Sequence, residues 1–140
     1  MSNFYHPLPS FVTIKESNIE GLGLYAVLNI RKNTIIGFTH IKNESFEDGY
    51  IRAPLGGFYN HSVTPNVISI FSNDLSDIVP GNIIESDNTN AAISEPLYRC
   101  MVALRDIDAG EEIRVRVQIK VRSKIRLIFL RKAVFRIVDF

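Results

Sequence analysis

The residues best suited to chemistry stand together in Phe58-Tyr59-Asn60-His61-Ser62-Val63-Thr64-Pro65-Asn66. Nine positions hold two amides, an imidazole, hydroxyls and a proline, a set that suits hydrogen bonding to a polar ligand or a buried backbone better than it suits a core. Pro65 fixes a bend, so the segment is expected to be a rigid loop, neither helix nor strand. His61 standing alone is most often a hydrogen-bonded structural histidine. No second His, Cys or carboxylate lies at metal-ligand spacing around it, which argues against a metal site. Upstream, Gly21-Leu22-Gly23 lets a backbone approach a ligand closely, although a plain turn explains a glycine pair equally well. It lacks the further glycine of a dinucleotide-binding fingerprint.

The elements that must position these residues are mostly strands. Phe11 to Lys15 alternates and is β-branched, then breaks at Ser17 to Gly21. Leu24 to Val27 and Thr34 to Thr39 follow, separated by a tight turn at Ile30 to Asn33, where Asn33 tolerates a positive φ. Asn66 to Ser72 and Leu97 to Leu104 are further strand candidates. Glu112 to Val121 alternates Ile113, Val115, Val117, Ile119 and Val121 with mostly basic residues, the pattern of a half-buried strand. Leu75 to Pro96 is polar and irregular. Ser123 to Phe140 fits helix and strand equally. The expected fold class is therefore mainly β, α+β at most.

At 140 residues and 46% hydrophobic, the chain has the size of one domain able to bury a core without staples. Its single cysteine, Cys100, precludes an internal disulfide framework and favours a reducing, cytoplasmic or other intracellular setting. A net charge of +1 gives no overall attraction to nucleic acid or membrane, and the first ten residues lack an export signal. Charge is uneven. Asn73 to Pro96 holds five acidic residues and no Lys or Arg, whereas Arg114 to Phe140 holds nine basic residues against Asp139. The acidic stretch reads as a solvated loop or as a rim attracting a lysine-rich partner. The basic tail would suit nucleic-acid phosphates, but its arginines alternate with apolar residues as a strand's solvent face does.

Taken with Gly21-Leu22-Gly23-Leu24-Tyr25-Ala26 and Ala103-Leu104-Arg105-Asp106-Ile107-Asp108-Ala109-Gly110-Glu111-Glu112-Ile113, the Asn60-His61 segment resembles the SET-domain family of protein lysine methyltransferases, in a minimal stand-alone form like those of viruses, phages and bacteria. The resemblance spans about Phe11 to Ile113. It implies a SET-type β-clip of short strands and small sheets with a threaded C-terminal segment, over residues 1–121, followed by a basic and apolar extension over 122–140. It implies S-adenosylmethionine as cofactor, bound by main-chain groups of Leu22, Gly23 and Leu24, by the Asn60 side chain and by the His61 backbone. The implied partner is a protein or peptide bearing the target lysine, in the host cell or nucleus if the source is viral.

Methyl transfer needs an uncharged amine. Exposing a lysine lone pair at pH 7 from a pKa near 10.4 costs roughly 4.6 kcal/mol unless burial beside a positive charge depresses that pKa. The family orients the amine with a tyrosine hydroxyl just beyond its Gly-Glu-Glu motif. Here that position is Val117, and no Tyr follows Tyr98. The catalytic residue is thus unassigned, with Tyr25 and Tyr98 as the tyrosines to consider. A catalytically weak or inactive SET-like module that binds cofactor or peptide is the alternative reading. The resemblance ends abruptly at Ile113, a signature that natural divergence and a reading-frame change share.

Overall fold

The computed structural model describes residues 7–84 and 96–116. Eight strands form its framework: β1 (Val12–Glu16), β2 (Leu22–Ala26), β3 (Ile35–Lys42), β4 (Tyr50–Arg52), β5 (Asn60–Ser62), β6 (Val67–Ser72), β7 (Tyr98–Ala103) and β8 (Glu112–Arg116). Short 3-10 turns at Pro54–Gly56 and Leu75–Asp77 are the helical elements among the described residues.

The sheet runs in the order β1-β2-β8-β6-β7-β3-β4, with β5 added to β8. Sequence neighbours β1 and β2 pair antiparallel through the glycine loop, Val12 opposite Ala26 and Glu16 opposite Leu22. β8 is the junction. Its first residues pair antiparallel with β2, Tyr25 opposite Glu112, and its later ones run parallel to β5, with Asn60 opposite Arg114 and Ser62 opposite Arg116. Val115 also pairs with Val67 of β6. One strand thereby ties the glycine loop to the Asn60-His61 segment, which chain order alone separates by some forty residues.

The predicted strands recur within a residue or two at β1, β2, β6 and β7, and β3 runs three residues past its expected end at Thr39, to Lys42. Asn33 turns with φ 70°, as its amide side chain permits. One expectation is corrected: Asn60–Ser62, read as loop, is a three-residue strand. Its residues are poor strand formers, and the parallel partner that holds them lies more than fifty positions away, so no local pattern announces it. β4 likewise carries no alternation long enough to see; it follows Gly49, whose φ of 82° makes the turn. β8 is described to Arg116. Val117, the rest of the predicted run to Val121 and the expected 122–140 extension lie outside the described residues.

Two apolar clusters support the sheet. The larger joins Leu24, Ile36, Val67, Met101, Ile107, Ile113 and Val115. The smaller gathers Ile35, Ile70, Ile78, Cys100 and Val102, with Phe38 and Tyr98 packed edge to face against its rim. Burial pushes the Cys100 thiol up to about 12, so it is a small core residue and not a nucleophile at neutral pH. Among the described residues, no helix is long and apolar enough to cross a membrane.

Candidate functional site

The glycine loop closes on itself before it meets anything else. Ser17 N–H donates to the Gly21 carbonyl at 2.8 Å, and Gly21 takes φ 50°, a conformation that glycine adopts without cost. Ser17 Oγ accepts from Ile19 N–H at 2.9 Å and sends its proton to the Glu112 carboxylate, at 2.7 and 2.9 Å from the two oxygens. That carboxylate fills the place a Gly23 Cβ would take, with Glu112 Cδ at 3.0 Å and Ser17 Cβ at 3.2 Å from it. Gly23 is absent from the positive-φ residues, so its missing side chain serves the carboxylate and not a turn.

Asn60 enters from β5. Its Nδ2 donates to the Glu20 carbonyl at 3.1 Å, the Leu22 carbonyl at 3.2 Å and Glu112 Oε2 at 2.9 Å. Three oxygens around one terminal atom identify it as the NH2, since an oxygen there would face only lone pairs. Asn60 Oδ1 therefore points the other way, and among the described residues it meets no hydrogen-bond partner.

Glu112 itself is 8% exposed, yet its ordinary strand alternation sets it on the face opposite the core residues Ile113 and Val115. Ser17, Asn60 and the Tyr25 hydroxyl, 3.4 Å from Oε1, surround it. The one Tyr25 hydroxyl proton goes to the nearer acceptor, the Glu16 carbonyl at 2.8 Å. Loss of solvent and then the Glu112 carboxylate hold the Tyr25 phenol above its ordinary range. No ion pair among the described residues reaches Glu112. A nearly buried carboxylate held by neutral dipoles is costly to maintain.

The other residues singled out in the sequence take distinct places. Leu22 is half exposed beside the clamp, whereas Leu24 is fully buried between Ile14 and Ile113. His61 is exposed, its backbone paired with Val115 and its ring 5.4 Å from that of Tyr59. Ser62 Oγ accepts from Thr64 N–H at 3.0 Å, and Arg114 Nε donates to the Thr64 carbonyl at 3.2 Å, which stiffens the bend at Pro65. Tyr98 packs on Phe38, away from this network. Among the described residues no group of His, Cys, Asp or Glu could hold a metal ion. A cleft of about 240 Å³ lined by Pro7, Pro9, Phe38, Pro54, Leu55 and Pro80 shares no residue with the clamp.

Sequence reasoning singled out Asn60 and the glycine loop and missed Ser17 and Glu112 as side chains of the site. Glu112 had one legible mark: it is an acid on the non-core face of a strand whose other residues on that face are basic.

No protein-family model and no curated protein sequence matches this chain. Solved structures do. A Plasmodium falciparum protein described as a candidate histone methyltransferase aligns over 84% of this chain and 99% of its own, at 19% identity and a TM-score of 0.55. The methyltransferase domain of human PR domain-containing protein 2 aligns over 84% and 83%, at 13% identity and a TM-score of 0.45. The β-rich architecture shared with the first is the SET-type fold that the motifs imply.

Proposed function

We propose that the chain is an S-adenosylmethionine-dependent protein lysine N-methyltransferase. One observation carries the reading most. Asn60 Nδ2 bridges the carbonyls of Glu20 and Leu22, so the two motifs assigned to the cofactor meet at a single point with an acceptor, Oδ1, left facing outward. The residues fit such a ligand. Asn60 Oδ1 would take its ammonium, the main chain of Leu22 and Gly23 would flank its amino-acid end, and the His61 backbone would lie toward the adenine. The cofactor when bound supplies an electrophilic methyl group and a sulfonium charge that favours a neutral lysine amine. This chain's part is to hold both reactants in line and to keep water out.

The fold of the Plasmodium falciparum protein supports the reading, and that protein's description makes histones the first protein substrates to test. Val117, a valine where the resembled family has its tyrosine, favours a second reading: a module that binds cofactor or peptide with weak or no turnover. Thermal melts with S-adenosylmethionine and S-adenosylhomocysteine test the cofactor. Either ligand is expected to raise the melting temperature of the parent, because binding to the folded state alone stabilises it. Asn60→Ala should remove that shift, and an unshifted parent overturns the assignment. Transfer of labelled methyl groups to lysine-containing proteins then separates the readings. Val117→Tyr is expected to raise that rate by at least about tenfold, a floor beneath the roughly hundred- to thousandfold that one preorganised polar contact is worth.

A further inference from the structure

Glu112 is the charged group that the fold goes furthest to keep. The residue is 8% exposed, and its carboxylate displaces any Cβ from position 23 and is held by Ser17 and Asn60, with the Tyr25 hydroxyl 3.4 Å away and no cation paired to it among the described residues. A structural acid would be replaced at lower cost by a neutral group of the same shape, since the two groups that donate to it, Ser17 and Asn60, are neutral. Its neighbour Glu111 shows the contrast: it is paired with Arg105 at 2.8 Å on the surface.

We propose that Glu112 is the counter-charge and positioning residue for a cationic ligand group presented to Asn60. The carboxylate accepts from Asn60 Nδ2 at 2.9 Å, which polarises the amide and turns Oδ1 outward as an acceptor. A ligand group on Oδ1 must then be a donor, and it sits about two hydrogen-bond lengths from a carboxylate. An ammonium satisfies both conditions. A carboxylate at that point satisfies neither, because it would face Oδ1 lone pairs with Glu112 behind them. The proposal rests on the cofactor reading above and assigns the α-ammonium of an amino-acid-bearing nucleoside to this position. It adds that the negative charge of Glu112, and not hydrogen bonding alone, selects that group.

Glu112→Gln isolates the charge. The amide oxygen can still accept from Asn60 and Ser17, while its NH2 can donate to the oxygens of Ser17 and Tyr25, so the clamp keeps its shape. Calorimetric titration of the full chain with S-adenosylhomocysteine and with its deamino analogue forms a cycle. S-adenosylhomocysteine is expected to bind the parent at least about tenfold more tightly than the analogue does, and Glu112→Gln is expected to lose about tenfold for S-adenosylhomocysteine alone. A merely structural Glu112 would weaken both ligands equally, and that result overturns the proposal. So does equal binding of the two ligands by the parent. Should Glu112→Gln fail to fold, Ser17→Ala leaves the charge but frees the carboxylate, and the same selective loss, smaller in size, is expected; an equal loss for both ligands again refutes it. The ligand-free chain gives a separate readout. The Asn60 side-chain NH2 should exchange slowly with solvent by NMR, and rapid exchange overturns the orientation whatever binds. Slow exchange in a parent that binds neither nucleoside would refute the cofactor reading, and the ligand half of this proposal with it, while upholding the orientation.

Discussion

Asn60 and Asn66 stand six residues apart at either end of one motif and are used in opposite ways. Asn66 is completely buried and both ends of its amide are occupied: Nδ2 donates to the Glu112 carbonyl at 2.8 Å and Oδ1 accepts from Arg114 N–H at 2.7 Å. Its own N–H donates to the Arg114 carbonyl at 3.0 Å, so side chain and backbone together hold β8 where a further strand residue would otherwise stand. Asn60 is only partly buried, and half of its amide is committed. The same side chain thus makes a structural joint where every polar atom is satisfied, and a candidate binding group where one is left over.

That contrast is broken most severely at Asn66. Asn66→Ala leaves the Arg114 N–H without a partner and the Glu112 carbonyl with only the Arg114 Nη1 contact at 3.3 Å. One orphaned group costs about 1–3 kcal/mol and the weakened carbonyl adds to it, so a loss of about 3 kcal/mol is expected. Urea denaturation of Asn66→Ala and Asn60→Ala side by side checks it. Asn60→Ala should lose less, because water reaches the two carbonyls it leaves and, through the space its side chain vacates, the Glu112 carboxylate, which keeps its Ser17 donor. Equal losses would mean that both asparagines are joints.

Gly23→Ala comes next. Its Cβ would meet the Glu112 carboxylate and Ser17, and overpacking of this kind costs about 1–3 kcal/mol. Because the displaced group is the one that holds Asn60, nucleoside binding should weaken along with stability, as calorimetry would show. Gly21→Ala is the control and is expected to cost about 1 kcal/mol. Nothing lies within 4 Å of a Cβ there, so the cost is that of φ 50° alone. Gly21→Asn should recover part of it, as Asn33 already adopts φ 70° in the same chain. If Gly21→Asn melts below Gly21→Ala, backbone conformation is not the cause.

These glycines show where the sequence is legible. Strands such as β1 and β6 announce themselves because alternation is local, and a lone Asn before β3 betrays a left-handed turn by its type. That position 23 must be small could be suspected from Gly21-Leu22-Gly23. The reason could not, because it is a carboxylate 89 residues away brought in by the pairing of β8 with β2. β5 is hidden for the same cause: its strand character comes from β8 and not from Asn60, His61 or Ser62. Contacts between distant segments decide both the site and the parts of the fold that composition misses.

The adjacent acids of β8 and its turn sharpen the comparison at the smallest scale. Glu111 accepts from both Arg105 nitrogens, at 2.8 and 3.2 Å, and from Asp108 N–H at 2.7 Å. The Arg105 hydrogen bonds hold its carboxyl below the ordinary glutamate range, and Glu111 in turn holds the Arg105 guanidinium above its own. A carboxyl whose pKa is lowered by folding contributes stability above its unfolded pKa, near 4.3, and loses that contribution as pH falls through the folded value. The pair is largely solvated, so Arg105→Ala should cost no more than about 1 kcal/mol at pH 7. The difference in stability between parent and Arg105→Ala should shrink as pH falls below about 4.3 and with added salt. A difference for Arg105→Ala that stays constant from pH 7 to pH 3 would show that Arg105 acts through its hydrogen bond to the Asp106 carbonyl, at 2.8 Å, and not through Glu111.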